Sequence, residues 1–179
     1  MRVFYGISLP EAIRRKTAAL AEAAAGRIPG RYALPENHHL TLAFLGDVAP
    51  ELIPDVQAVL ARTITAFSAP KITVQSFGHF GRMQNTILIL HAGSEPALEP
   101  LNAALRAALA QADLPFDPGP FSPHITLARH AALDAGTPLP FAPFSFTARE
   151  AHLFLSARDD ENTLRYTPIF SAPFANYGI

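Results

Sequence analysis

One short pattern occurs twice. Residues 39–45 read His-Leu-Thr-Leu-Ala-Phe-Leu and residues 124–128 read His-Ile-Thr-Leu-Ala, so five positions repeat as His, aliphatic, Thr, Leu, Ala at a separation of 85 residues (124 − 39). Side chains alternate faces along a strand, so His39 and Thr41 point one way, about 6–7 Å apart along the chain, and Leu40 and Leu42 point the other. His124 and Thr126 repeat the arrangement, with Ile125 and Leu127 as the anchors. Each copy thus offers one imidazole and one hydroxyl to a common surface. A single His-x-Thr on a strand is usually a satisfied histidine beside a residue that favours strands. Two copies with matching flanks, half a chain length apart, point to two pseudo-equivalent lobes whose motifs face each other across a cleft.

Two imidazoles and two hydroxyls suit the hydrolysis of a cyclic phosphodiester. In-line displacement at phosphorus needs a base to deprotonate the attacking water and an acid on the far side to protonate the departing sugar oxygen. Histidine titrates nearest neutral pH, so one imidazole can start neutral and the other protonated. The threonine hydroxyls can donate to the non-bridging oxygens, fixing the phosphate in line and offsetting its charge. That scheme requires no metal.

The elements that would position these groups can be read from periodicity. Residues 2–9 form a buried strand, and Glu11 to Ala25 an Ala-rich helix that starts after Pro10 and ends at Gly26. Residues 39–45 are a strand, 50–66 a helix with Pro54 in its first turns, and 71–78 and 85–92 two strands. Leu98, Leu101, Leu105 and Leu109 recur at helical spacing within 95–112. The run 122–128 is a strand, and two more lie near 145–156 and 163–171. Helices and strands are mixed, but the hairpin-like closing segments exclude a purely parallel sheet. Prolines cluster in the connections, notably Pro115, Pro118, Pro120 and Pro123, then Pro138, Pro140 and Pro143.

Composition narrows the function classes. The chain has 179 residues, 49% of them apolar and 16% charged, enough for a large core. Its net charge of −1 is unlike that of a protein gripping a long stretch of nucleic acid, so a nucleic-acid substrate would be touched at its end. The absence of cysteine removes disulfides, thiolate nucleophiles and Cys-type zinc sites, and fits a reducing cytoplasm. The first apolar run is too short to span a bilayer and no signal-peptide pattern follows, so a cytoplasmic protein without membrane attachment is expected. No His-Glu-x-x-His or similar ligand spacing accompanies the seven histidines. There is no Gly-rich phosphate loop either, so neither metal nor cofactor is expected.

The segments Pro35-Glu36-Asn37-His38-His39-Leu40-Thr41-Leu42-Ala43-Phe44-Leu45-Gly46 and Ser122-Pro123-His124-Ile125-Thr126-Leu127-Ala128-Arg129 resemble the two His-x-Thr-x signatures of the 2H phosphoesterase superfamily. Within it, the chain resembles the bacterial and archaeal RNA 2′,3′-cyclic phosphodiesterases, also called 2′-5′ RNA ligase-like, over essentially its whole length. The resemblance implies one α+β domain over 1–179. Its two pseudo-symmetric lobes would carry antiparallel-rich sheets around a central cleft, with helices outside. It also implies opening of RNA 2′,3′-cyclic phosphate ends to 2′-phosphates, with His39 as proton donor and His124 as proton acceptor. The reverse reaction, joining RNA halves through a 2′-5′ bond, would use the same two groups with roles exchanged.

Other residues are assigned more plainly. Thr41, Thr126 and Arg129 are the candidate substrate ligands, although Arg129 lies five residues past His124 and falls on the opposite face of a regular strand. Phe44 is expected in the core, Phe121 is open between core and base stacking, and His38 is expected to be structural. His79, His91, His130 and His152 are scattered, as satisfied or solvated histidines are. Two alternatives stay open. The same chemistry could serve a small cyclic nucleotide, cyclic ADP-ribose phosphate or a 2′-5′ oligonucleotide, or the chain could be a non-catalytic module binding RNA ends. A monomer is expected.

Overall fold

Nine strands pair into one sheet: β1 (Arg2–Ser8), β2 (Arg31–Tyr32), β3 (His39–Asp47), β4 (Lys71–Arg82), β5 (Asn85–Ala92), β6 (His124–Ala131), β7 (Phe144–Thr147), β8 (Glu150–Arg158) and β9 (Leu164–Pro173). The computed structural model describes residues 1–93, 97–133 and 139–176. The strand order is β7-β4-β5-β6-β3-β1-β8-β9, with β2 pairing β6. All these pairings are antiparallel.

The two motif strands lie side by side at the centre, with three further strands beyond each. They meet through one pair, Leu40 opposite Ile125. Antiparallel register then sets His39 level with Thr126, and Thr41 level with His124. The flanking strands repeat this symmetry. Ser8 and Gly6 of β1 lie opposite His39 and Thr41, as His91 and Ile89 of β5 lie opposite His124 and Thr126.

The helices cover the other face. In α1 (Glu11–Ala25), α2 (Ile53–Ile64) and α3 (Leu98–Gln111), buried positions recur at helical spacing: Val56, Val59, Leu60 and Thr63 in α2, and Leu98, Leu101, Leu105 and Leu109 in α3. Leu40, Leu42, Ile125 and Leu127 complete the core, each at most 1% exposed. Burial of such a side chain stabilises by roughly 1.5–3 kcal/mol, so the anchors fix the face on which His39 and His124 emerge.

The elements lie where the periodicity puts them, with shifts at several boundaries. The helix expected at 50–66 begins with a 3₁₀ turn at Pro50–Leu52. The first two residues of the helix expected over 95–112 lie outside the described residues. The single strand expected near 145–156 is two strands, β7 and β8, at distant places in the strand order. The chain changes edge within Ala148 and Arg149. The Ala148 N–H donates to the Pro70 carbonyl (3.0 Å), and the Phe174 N–H donates to the Arg149 carbonyl (3.1 Å). A curled sheet brings its two ends together there, and the sequence Thr-Ala-Arg-Glu carries no turn residue to announce it. The two-residue strand β2 is too short to leave a periodic signal.

Candidate active site

The site follows from how β3 and β6 break their regular alternation. Thr41 pairs with Gly6, but Tyr5, the next residue back along β1, pairs with Ala43, so β3 holds an extra residue there. In β6, Thr126 pairs with Ile89 and Ala128 with Leu88, so the same extra residue occurs at the same point after the motif. Such a β-bulge shifts the alternation by one. The third residue after each threonine therefore returns to the threonine's side. These residues are Phe44 and Arg129, and both line one cavity of about 750 Å³ together with His39, Thr41, His124 and Thr126. The bulge carries Arg129 to the face that a regular strand would deny it. It also corrects the expectation for Phe44, which is half-buried at the cavity and not in the core.

Both histidines are oriented in the same way. His39 Nδ1 lies 2.6 Å from the Asn37 carbonyl and His124 Nδ1 lies 2.7 Å from the Ser122 carbonyl. A carbonyl only accepts, so Nδ1 carries the proton in each, and Nε2 is the nitrogen left to gain or lose one near neutral pH. Thr41 Oγ1 sits 3.1 Å from His39 Nε2 and donates to it while that nitrogen is unprotonated. The His39 ring is enclosed by Phe4 (centroids 4.7 Å apart), Tyr166 (5.0 Å, edge-on at 85°) and Phe154 (5.8 Å). His124 has one aromatic neighbour among the described residues, Phe80, edge-on at 4.9 Å.

These surroundings act on the imidazole charges. Burial pulls His39 down from 6.5 to about 4. The Asn37 carbonyl opposes this, and the positive charges of His124, His38 and Arg129 add to it. His124 is lowered as well, first by burial, against the Ser122 carbonyl and with the charges of Arg129 and His91. At neutral pH both Nε2 atoms are therefore unprotonated, that of His39 accepting from Thr41.

Residues without a sequence signal complete the site. The Asn37 side chain is buried and bridges to β9, its Nδ2 donating to the Leu164 carbonyl (2.7 Å) and its Oδ1 accepting from the Tyr166 N–H (3.0 Å). One residue thus orients His39 through its backbone and holds Tyr166 against the same ring. Asn37 stands within the first signature segment, but only the contact with β9, more than 120 positions away, gives it a role. Arg2, Arg31 and Arg158 also line the cavity.

The other histidines lie apart from the cavity lining. His38 is 3% exposed on the opposite face and bonds Thr17 Oγ1 at 2.9 Å, as a structural histidine should. His152 pairs with Ser171 and His130 with Asn85. His91 faces His124 across β5–β6, over Gly78, where any Cβ would collide with its ring. Phe121 is half-buried against the core. Among the described residues no group of three or more His, Asp or Glu could hold a metal ion, and no helix is long and apolar enough to cross a membrane.

Known proteins share this chain's sequence and fold. Residues 9–160 match the family described as the 2′-5′ RNA ligase superfamily. The RNA 2′,3′-cyclic phosphodiesterase of Escherichia coli is 30% identical over 169 residues, covering 94% of this chain and 93% of its own. That of Thermotoga maritima is 32% identical over 131 residues, covering 72% and 70%. The crystal structure of E. coli LigT complexed with 3′-AMP superposes with a TM-score of 0.81 at 29% identity, over 97% of both chains. A match over residues 9–160 spans most of the sequence, the motif strands and the bulges included, and so the chain belongs to the 2′-5′ RNA ligase superfamily.

Proposed function

We propose that this protein opens the 2′,3′-cyclic phosphate at an RNA end to a 2′-phosphomonoester, with His39 and His124 as its acid–base pair. The observation that carries the reading is the matched presentation of two Nδ1-bonded imidazoles with unprotonated Nε2 atoms on neighbouring strands of one cavity. The names of the relatives support the same activity.

In this reading water attacks phosphorus as His124 Nε2 takes its proton. The bond from phosphorus to the 3′ oxygen breaks, and protonated His39 gives its Nε2 proton to that oxygen. Thr126 and Arg129 face the equatorial oxygens. Thr41 donates to His39 Nε2 while that nitrogen is unprotonated. Once that nitrogen is protonated the hydroxyl can turn and donate to phosphate, which links arrival of the acid proton to binding of the anion. Side chains supply every proton transfer, each worth about 10²–10⁴-fold in rate. Ligation through a 2′-5′ bond needs no further groups: an RNA 5′ hydroxyl replaces water, giving its proton to His124 Nε2 as its oxygen bonds phosphorus, and the 3′ oxygen leaves with the proton of His39, so the two roles stay as in hydrolysis and are not exchanged.

The test is hydrolysis, with EDTA present, of a short RNA ending in a 2′,3′-cyclic phosphate, resolving 2′- from 3′-phosphate. A 2′-phosphate product is expected, with His39→Ala and His124→Ala both inactive yet folded by circular dichroism. A 3′-phosphate product, or turnover surviving in both variants, refutes the assignment.

A further inference from the structure

Among the described residues four arginines, Arg2, Arg31, Arg129 and Arg158, line the cavity, and no aspartate or glutamate does. The chain as a whole carries a net charge of −1, so this sign bias is local. Two of the four are steadied by neighbours. The Arg2 guanidinium lies 5.1 Å from the centroid of the Phe44 ring, and Arg158 Nη1 donates to the Asn162 carbonyl at 2.6 Å.

Arg31 and Arg129 are placed differently. They are direct register partners in the β2–β6 pair, both are exposed, and neither guanidinium has a hydrogen bond or ion pair with a described residue. Like charges directly opposite each other on paired strands destabilise the pair. An anion seated between two guanidiniums reverses that sign, and planar forked donors match phosphate oxygens better than ammonium groups do. The β2 strand takes the edge of β6 beyond the point where β3 leaves it, from Ile125 to Ala128 and Arg129. Arg31 therefore stands farther along the cleft from His124 than Thr126 does, where a substrate strand would continue.

The two halves of the site also differ at one symmetric position. Five residues after the histidine, one motif strand presents Phe44 and the other Arg129. One side of the cleft thus offers an aromatic face and the other a cationic one, and the second, doubled by Arg31, suits a phosphate chain.

Resting on the phosphodiesterase reading above, we propose that Arg31, beside Arg129, binds the phosphodiester that joins the terminal nucleotide to its neighbour. The favoured substrate is accordingly an RNA strand of two or more nucleotides, not a free cyclic mononucleotide. The experiment compares kcat/KM for adenosine 2′,3′-cyclic phosphate with that for the dinucleotide ApA ending in the same cyclic phosphate, in wild type, Arg31→Ala and Arg31→Lys. Wild type should favour the dinucleotide. In Arg31→Ala the dinucleotide value should fall at least tenfold more than the mononucleotide value, with Arg31→Lys intermediate. The salt dependence for the dinucleotide should also flatten by about 0.7 in log–log slope, as for one lost single-strand phosphate contact. Equal loss on both substrates, or no length preference in wild type, overturns the inference and leaves the phosphodiesterase reading standing. Failure of wild type to hydrolyse either substrate overturns both.

Discussion

Binding of a phosphate anion should draw a proton onto His39. Burial holds this histidine at about 4, so at pH 7 about one molecule in a thousand carries the proton that an acid needs. Bringing the protonated form to equal population at pH 7 requires about 4 kcal/mol of added stabilisation. A unit negative charge about 4 Å away supplies roughly that amount at the effective dielectric typical of such sites. Phosphate alone can therefore bring His39 to its titration midpoint at neutrality. The sign is fixed: the free histidine protonates only well below pH 6, and the bound one should begin to do so near pH 7. Carbon–proton NMR of the histidine rings, with His39 assigned from His39→Gln, should show its midpoint moving from far below 6.5 to about 7 on saturation with inorganic phosphate. Calorimetry at pH 7 in buffers of different ionisation enthalpy should register uptake of about half a proton by His39 per phosphate. A His39 midpoint near 6.5 in the free protein, or phosphate binding without proton uptake, would refute the argument.

Two further outcomes test the supports of the site. Asn37→Ala removes both side-chain bonds to β9 and should destabilise the protein by about 1–3 kcal/mol in urea melts. It should also lower kcat more than it raises KM, since Tyr166 is freed from the His39 ring while the phosphate ligands stay in place. Burial holds the His38 imidazole down at about 4, against the pull of Glu36. The unfolded chain then binds more protons between pH 6.5 and 4, so stability is complete above 6.5 and declines as pH falls through that window. His38 should account for a loss of about 2 kcal/mol between pH 7 and 5, and His38→Leu should show a correspondingly shallower decline in denaturant midpoint over the same range.

Much of the site was legible because it is local. Strand alternation alone puts His39 with Thr41, and His124 with Thr126, on one side and four aliphatics on the other, and the burial of those aliphatics agrees. The echo of one motif in the other implied the symmetry that the central pair Leu40–Ile125 realises. The helices were legible for the same reason, since leucine spacing in α3 is a property of one segment.

What the tertiary structure decided depends on more than one strand at a time. A bulge is a mismatch between neighbours, so neither β3 nor β6 alone reveals that Phe44 and Arg129 return to the face of His39 and His124. The split between β7 and β8 arises from the curl of the sheet, and the role of Asn37 from β9 arriving beside it. The charge of the cleft belongs to the same class. Arginines at positions 2, 31, 129 and 158 are scattered in a sequence of nearly balanced charge, and only folding gathers them around one cavity that no carboxylate among the described residues lines. Local alternation therefore determines which groups could react, and long-range strand pairing determines what surrounds them.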